Sequence, residues 1–160
     1  MEIKMRDLSL IAIFSALYAT MVLIFAPISF YALQFRVAGI LRPAIVKKRV
    51  LALGYAIGVV LGNLLSPFPS FYELVFMPFV SFIAGFLAHV IGRMFKQSYF
   101  IAGVIIATMI SFSVSWMLNQ LFAIPIIVSF PSLFVSEQIV CLIGTIIFKA
   151  IETKYVWWED

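Results

Sequence analysis

Glu137 stands about six residues past Pro131 in a run of Ser, Leu, Phe and Val, roughly 9 Å along if that run is helical. A carboxylate is too short to reach water from such a depth, and a charged group at the middle of a membrane helix costs about 2.5–3.5 kcal/mol. It can accept two hydrogen bonds from the flat, amidine-like edge of a ligand. Other polar side chains are placed as awkwardly. Gln34 and Arg36 precede one apolar run, Asn63 and Ser66 close the next, Tyr72 and Glu73 open another, and Trp116, Asn119 and Gln120 lie near the end of a fifth. Two readings of this set stay open. Either Arg36 or Arg42 pairs with Glu73 or Glu137 while the amides serve backbone near helix ends, or the set converges on a pocket for a small polar solute. Ionisable groups inside a membrane favour the pocket, with Glu137 as its leading residue. For Arg42 a structural ion pair is at least as good a reading.

Other chemistry is missing from the sequence. His89 is the single histidine and Cys141 the single cysteine, which excludes multi-histidine zinc sites, thiolate clusters and an internal disulfide. There is no G-x-x-x-x-G-K-[ST] phosphate loop, no H-E-x-x-H and no G-x-S-x-G. We expect no enzymatic activity, no metal and no cofactor. No basic cluster interleaves with aromatics as a nucleic-acid surface would require.

The elements that position these residues must live in lipid. The chain is 64% hydrophobic and 11% charged, with a mean hydropathy of +1.15, too apolar for a water-facing surface. Apolar runs fall at Leu8–Ala26, Arg36–Val46, Val50–Leu65, Phe71–Ile91, Tyr99–Leu121 and Phe134–Ile151. A spanning helix needs roughly 20 residues, so the second run is too short, and it carries Arg36 and Arg42. Charge placement restores it. Lys4 and Arg6, then Lys47, Lys48 and Arg49, then Arg93 and Lys96, then Lys149 and Lys154 occupy alternate breaks in the pattern. The positive-inside rule then requires six crossings, with the second entered through a dipping loop at Pro27–Phe35. The expectation is an all-α integral membrane protein, one transmembrane domain over residues 1–160, multi-pass in the cell membrane with both termini cytoplasmic. The first run, at about 19 residues, exceeds the ~7–15 of a signal-peptide core and reads as a retained helix. Ile124–Ser132, broken by Pro125 and Pro131, reads as an outer loop. Tyr155, Trp157 and Trp158 read as an interfacial anchor.

Small residues mark close helix contacts. Gly54, Gly58 and Gly62 form a stripe on the third helix, for which internal packing is the default. Ser9, Ala12, Ala16 and Ala19 form another on the first, open either to internal packing or to a partner's helices. Thr108, Ser111, Ser115 and Asn119 make a polar stripe on the fifth, expected to face protein or water.

Particular residues also resemble the substrate-binding S components of energy-coupling factor (ECF) transporters, and among those the QueT family of queuosine-precursor transporters. They are Ala16-Leu17-Tyr18-Ala19 leading to Ala26-Pro27-Ile28-Ser29, Gln34-Phe35-Arg36-Val37, Asn63-Leu64-Leu65-Ser66-Pro67, and a last-helix glutamate, Glu137. The resemblance implies six helices, an outward-facing site for a 7-deazapurine-like solute, and ligand contacts at Gln34, Arg36, Asn63, Glu73 and Glu137. It also implies that Ala12 and Ala16 meet a transmembrane coupling protein that carries two ATPase subunits. The chain departs from the family at Gly39, where a glutamate is expected, and at Glu73, where an aspartate is expected. Another vitamin-like solute is an alternative, and a non-transporting membrane interaction protein is a second.

Overall fold

The computed structural model describes residues 4–29, 36–64, 66 and 70–158, so Gln34 and most of the expected loop at Pro27–Phe35 lie outside the described residues. The elements are α1 (Met5–Ile24), a single turn α2 (Ala26–Ser29), a 3₁₀ helix (Val37–Val46), α3 (Val50–Asn63), a π-helical turn (Tyr72–Phe76) running into α4 (Met77–Met94), α5 (Tyr99–Phe122) and α6 (Ile126–Glu152). Four of them are long and apolar enough to cross a membrane: α1, the π turn with α4, α5, and α6. The 3₁₀ helix and α3 are apolar but shorter.

α1, α3, α4, α5 and α6 pack in that order, each on the next, and all five touch the 3₁₀ helix. That segment is the hub of the bundle: Ala38, Arg42, Ala44, Ile45 and Val46 are buried. Its place explains the misfit of the second apolar run. Ten residues rise about 20 Å as a 3₁₀ helix against about 15 Å as an α-helix. An element ringed by protein also needs no lipid-compatible surface, so two arginines can sit on it. Large apolar side chains point outward from the ring instead, among them Ile13, Leu17, Ile57, Phe79 and Ile146.

The α1–α3 seam uses the glycine stripe. A Cβ at Gly58 would stand 2.9 Å from Tyr18 Cβ, and one at Gly54 would stand 3.2 Å from the Ile11 carbonyl. This approach lets Ser15 Oγ donate to the Gly54 carbonyl at 2.9 Å. Internal packing therefore accounts for that stripe. On α1, Ala12 and Ala16 stay exposed whereas Ala19 is buried, so the exposed small-residue face ends at Ala16.

Two expectations are corrected. Residues from Ile126 onward are not a loop: α6 starts there, runs 27 residues and measures about 40 Å. Pro125 is the residue before its first helical position, and Pro131 falls in its second turn, where its missing N–H takes one bond from the Ile127 carbonyl without ending the helix. Trp157 and Trp158 are half-buried rather than splayed at an interface, and Lys47 Nζ sits 4.1 Å from the Trp158 ring centroid. Lys47 also pairs with Glu152 at 2.9 Å, and Arg6 donates to the Trp157 carbonyl at 3.0 Å. The start of α1, the turn after the 3₁₀ helix and the end of α6 thus share one end of the bundle.

Candidate functional site

At the opposite end the chain enters α4 through the π turn, which frees a carbonyl. Met77 N–H bonds the Tyr72 carbonyl five residues back. In that register the next donor would be Pro78, which has no N–H, so the Glu73 carbonyl has no helical partner. Asn63 Nδ2 supplies the missing bond at 2.8 Å, while its Oδ1 accepts from Arg36 Nη2 at 3.3 Å. Arg36, Asn63 and Glu73 are all buried. Three residues expected in the site are therefore brought together by the ends of the 3₁₀ helix and α3 and by the π turn.

Glu73 is the unusual member. Its carboxylate Oε2 is buried and has no hydrogen-bond partner among the described residues. A buried acceptor left unpaired costs about 1–3 kcal/mol, more when charged. On the same turn, Tyr72 and Phe76 pack against Trp116 of α5, with ring centroids 5.7 and 5.0 Å apart. Trp116 thus joins the site through an aromatic wall next to the glutamate.

Glu137 lies elsewhere. It is eleven residues beyond the start of α6, about 17 Å along it, and forms an ion pair with Arg42 Nη1. Arg42 is 0% exposed and Glu137 3%. Arg42 Nη2 also donates to Tyr18 Oη at 3.2 Å, and its guanidinium lies 5.5 Å from the Tyr55 ring centroid. For these two residues the ion-pair alternative is the arrangement observed. Gly39 belongs to this cluster. Positions three apart eclipse on a 3₁₀ helix, and a Cβ on Gly39 would stand 3.0 Å from Arg42 Nη1 and 2.9 Å from Val140 Cγ1. Position 39, where a carboxylate was expected, thus packs directly against the Arg42 guanidinium and Val140. Sequence reasoning did not find Tyr18 and Tyr55, because nothing in their spacing signals an arginine from another helix.

The remaining residues serve the frame. Asn119 Nδ2 donates to the Ile124 carbonyl at 3.0 Å and closes the α5–α6 turn, where Ala123 adopts a left-handed φ of 54°. Gln120 is exposed. Ser111 and Ser115 are buried and donate to carbonyls four residues back, at 2.7 and 2.8 Å. Thr108 is exposed but makes the same bond at 2.7 Å. The hydroxyl stripe of α5 is therefore satisfied by its own helix, which also lets Thr108 face lipid. No group of metal-ligating side chains occurs among the described residues.

No curated protein and no solved structure matches the chain significantly. A family model does: the one described as QueT transporter matches residues 8–153, nearly the whole chain. With the four long apolar helices, this makes the chain a multi-pass membrane protein that belongs to the QueT transporter family.

Proposed function

We propose that this chain is the solute-binding S component of an ECF-type importer and that it takes up a queuosine precursor of the 7-deazaguanine type. The observation that carries the reading is the buried Glu73 Oε2, which has no hydrogen-bond partner among the described residues, on the residue whose backbone carbonyl Asn63 of the Arg36–Asn63 pair holds. Such a base presents a lactam N–H and an amino group side by side. A carboxylate accepts both, in the bidentate manner that carboxylates use for guanidinium groups. Arg36 and Asn63 supply donors for the lactam oxygen, and Trp116 with Tyr72 offers an aromatic face for the flat ring. Gln34, by its place in the Gln-Phe-Arg piece, completes this set. Asn119 holds the adjoining turn, and Glu137 supports the site through Arg42.

The chain crosses the membrane six times with both termini cytoplasmic, because the basic breaks gather at one end and the site at the other. It has no ATP-binding motif, so energy comes from a coupling protein and two ATPases, and the exposed Ala12–Ala16 face of α1 is the docking surface.

The test is binding of a 7-deazaguanine base to the purified chain in lipid nanodiscs, read by calorimetry and by tryptophan fluorescence. Sub-micromolar binding that Glu73→Gln abolishes is expected. Tight binding of an unrelated vitamin, with none of the base, overturns the substrate. Failure of a coupling protein and two ATPases to co-purify with the tagged chain overturns the ECF assignment.

A further inference from the structure

From Leu8 to Phe148, outside the basic turns at Lys47–Arg49 and Arg93–Lys96, only Arg36, Arg42, Glu73 and Glu137 carry a formal charge. Both basic turns stand at the end of the bundle away from the candidate site, with Lys47 Nζ 4.7 Å from the Tyr99 ring at the start of α5. The four remaining charges are all buried, none more than 8% exposed. Arg42 and Glu137 match each other as an ion pair. Arg36 and Glu73 are tied together through Asn63, which accepts from Arg36 Nη2 and donates to the Glu73 carbonyl. The part of the bundle that holds the candidate site therefore sums to zero charge.

A buried site can match only the charges it has. A neutral solute that donates to Glu73 from one edge and accepts from Arg36 at another leaves the balance intact. A solute with a cationic arm adds a positive charge that no further carboxylate can receive. Glu137 is already matched by Arg42, and the segments around the site contain no other acidic residue. Resting on the solute reading above, we infer that the site selects a base whose substituent is uncharged over one bearing an ammonium, and that Arg36 sets this preference. Without the Arg36 charge the same region is left with one negative charge in excess, and an ammonium restores zero. An unmatched charge at full membrane depth costs a factor on the order of a hundred, so a preference of about tenfold or more is expected at the end of the bundle.

The test is calorimetry on the full chain in nanodiscs of zwitterionic lipid, with two 7-deazaguanines that differ in one substituent, hydroxymethyl or aminomethyl. The two match in size, and at pH 7 only the amine is charged. The unaltered chain should bind the hydroxymethyl base about tenfold or more tighter. Arg36→Gln weakens both by loss of a contact but should erase or reverse the ratio, whereas Arg36→Lys, which keeps the charge, should preserve it. Lys96→Gln removes a positive charge at the far end and should leave the ratio unchanged. Equal or tighter binding of the aminomethyl base by the unaltered chain overturns the inference while the solute reading stands. So does a ratio that survives Arg36→Gln, or one that shifts as much with Lys96→Gln. If neither base binds, the solute reading falls and the inference falls with it.

Discussion

Replacing Glu137 with alanine separates a structural carboxylate from a ligand-binding one. The Arg42 guanidinium is fully buried, and its remaining neighbours, Tyr18 Oη at 3.2 Å and the Tyr55 ring at 5.5 Å, carry no negative charge. Removing one member of a buried ion pair costs about 3–5 kcal/mol, because the other charge is stranded, whereas replacing both by apolar groups of similar size is often neutral. Glu137→Ala should therefore lose about 3–5 kcal/mol of stability, and Arg42→Met with Glu137→Met should recover most of it, methionine's flexible chain filling the vacated volume. Titration with sodium dodecyl sulfate, followed by circular dichroism in mixed micelles, measures both, and base binding is measured in parallel. If Glu137→Ala unfolds at the same detergent fraction as the unaltered chain yet no longer binds the base, the structural reasoning is refuted and Glu137 is a ligand contact.

Asn63→Leu strips the donor from the Glu73 carbonyl and the acceptor from Arg36, so about 1–3 kcal/mol of stability should go, with base affinity down at least tenfold by calorimetry. Gly144→Ala drives a methyl group into the Ile40 carbonyl of the hub. Overpacking of that kind costs about 1–3 kcal/mol or more, and size-exclusion profiles should show less monodisperse protein. Trp158→Ala removes the ring 4.1 Å from Lys47, worth about 0.5–2 kcal/mol, and trypsin should cut after Lys154 several times faster.

Much of the fold was legible because lipid makes hydropathy decisive. The four long helices fall on the first, fourth, fifth and sixth apolar runs, each reached within a few residues except α6. There Pro125 and Pro131 were read as breakers, but a proline before a helix or in its early turns removes few bonds. Arg36, Asn63 and Glu73 were legible as a group because each is a polar residue at the end of an apolar run, and the ends meet. Glu137 was legible as buried, and its pairing with Arg42 as one of two open readings rather than the favoured one. Its partner comes from a segment whose length gave no hint of a hub, since a sequence pattern does not distinguish a ten-residue 3₁₀ helix from an α-helix too short to span. The Trp157 and Trp158 clasp was missed because aromatics beside a lysine at a membrane end fit an interfacial anchor equally well.

The hub's unusual conformation has a geometric reason. Long 3₁₀ runs are rare because their hydrogen bonds are poor, so this one must be held from outside. It is held at three depths. Arg36 is tied to Asn63 of α3, Arg42 to Glu137 of α6, and the last turn to α4 and α6, where His89 Nδ1 stands 2.9 Å from the Val46 carbonyl and Lys47 meets Glu152. As an α-helix the same ten residues would be about 5 Å shorter and could not reach all of these anchors. The extension also sets Gly39 in line with Arg42, which gives the guanidinium its space. The candidate site and the clasp over the C-terminal tail are therefore two ends of one strut. Whatever displaces Arg36 works against an element whose other end is fixed to the end of α6.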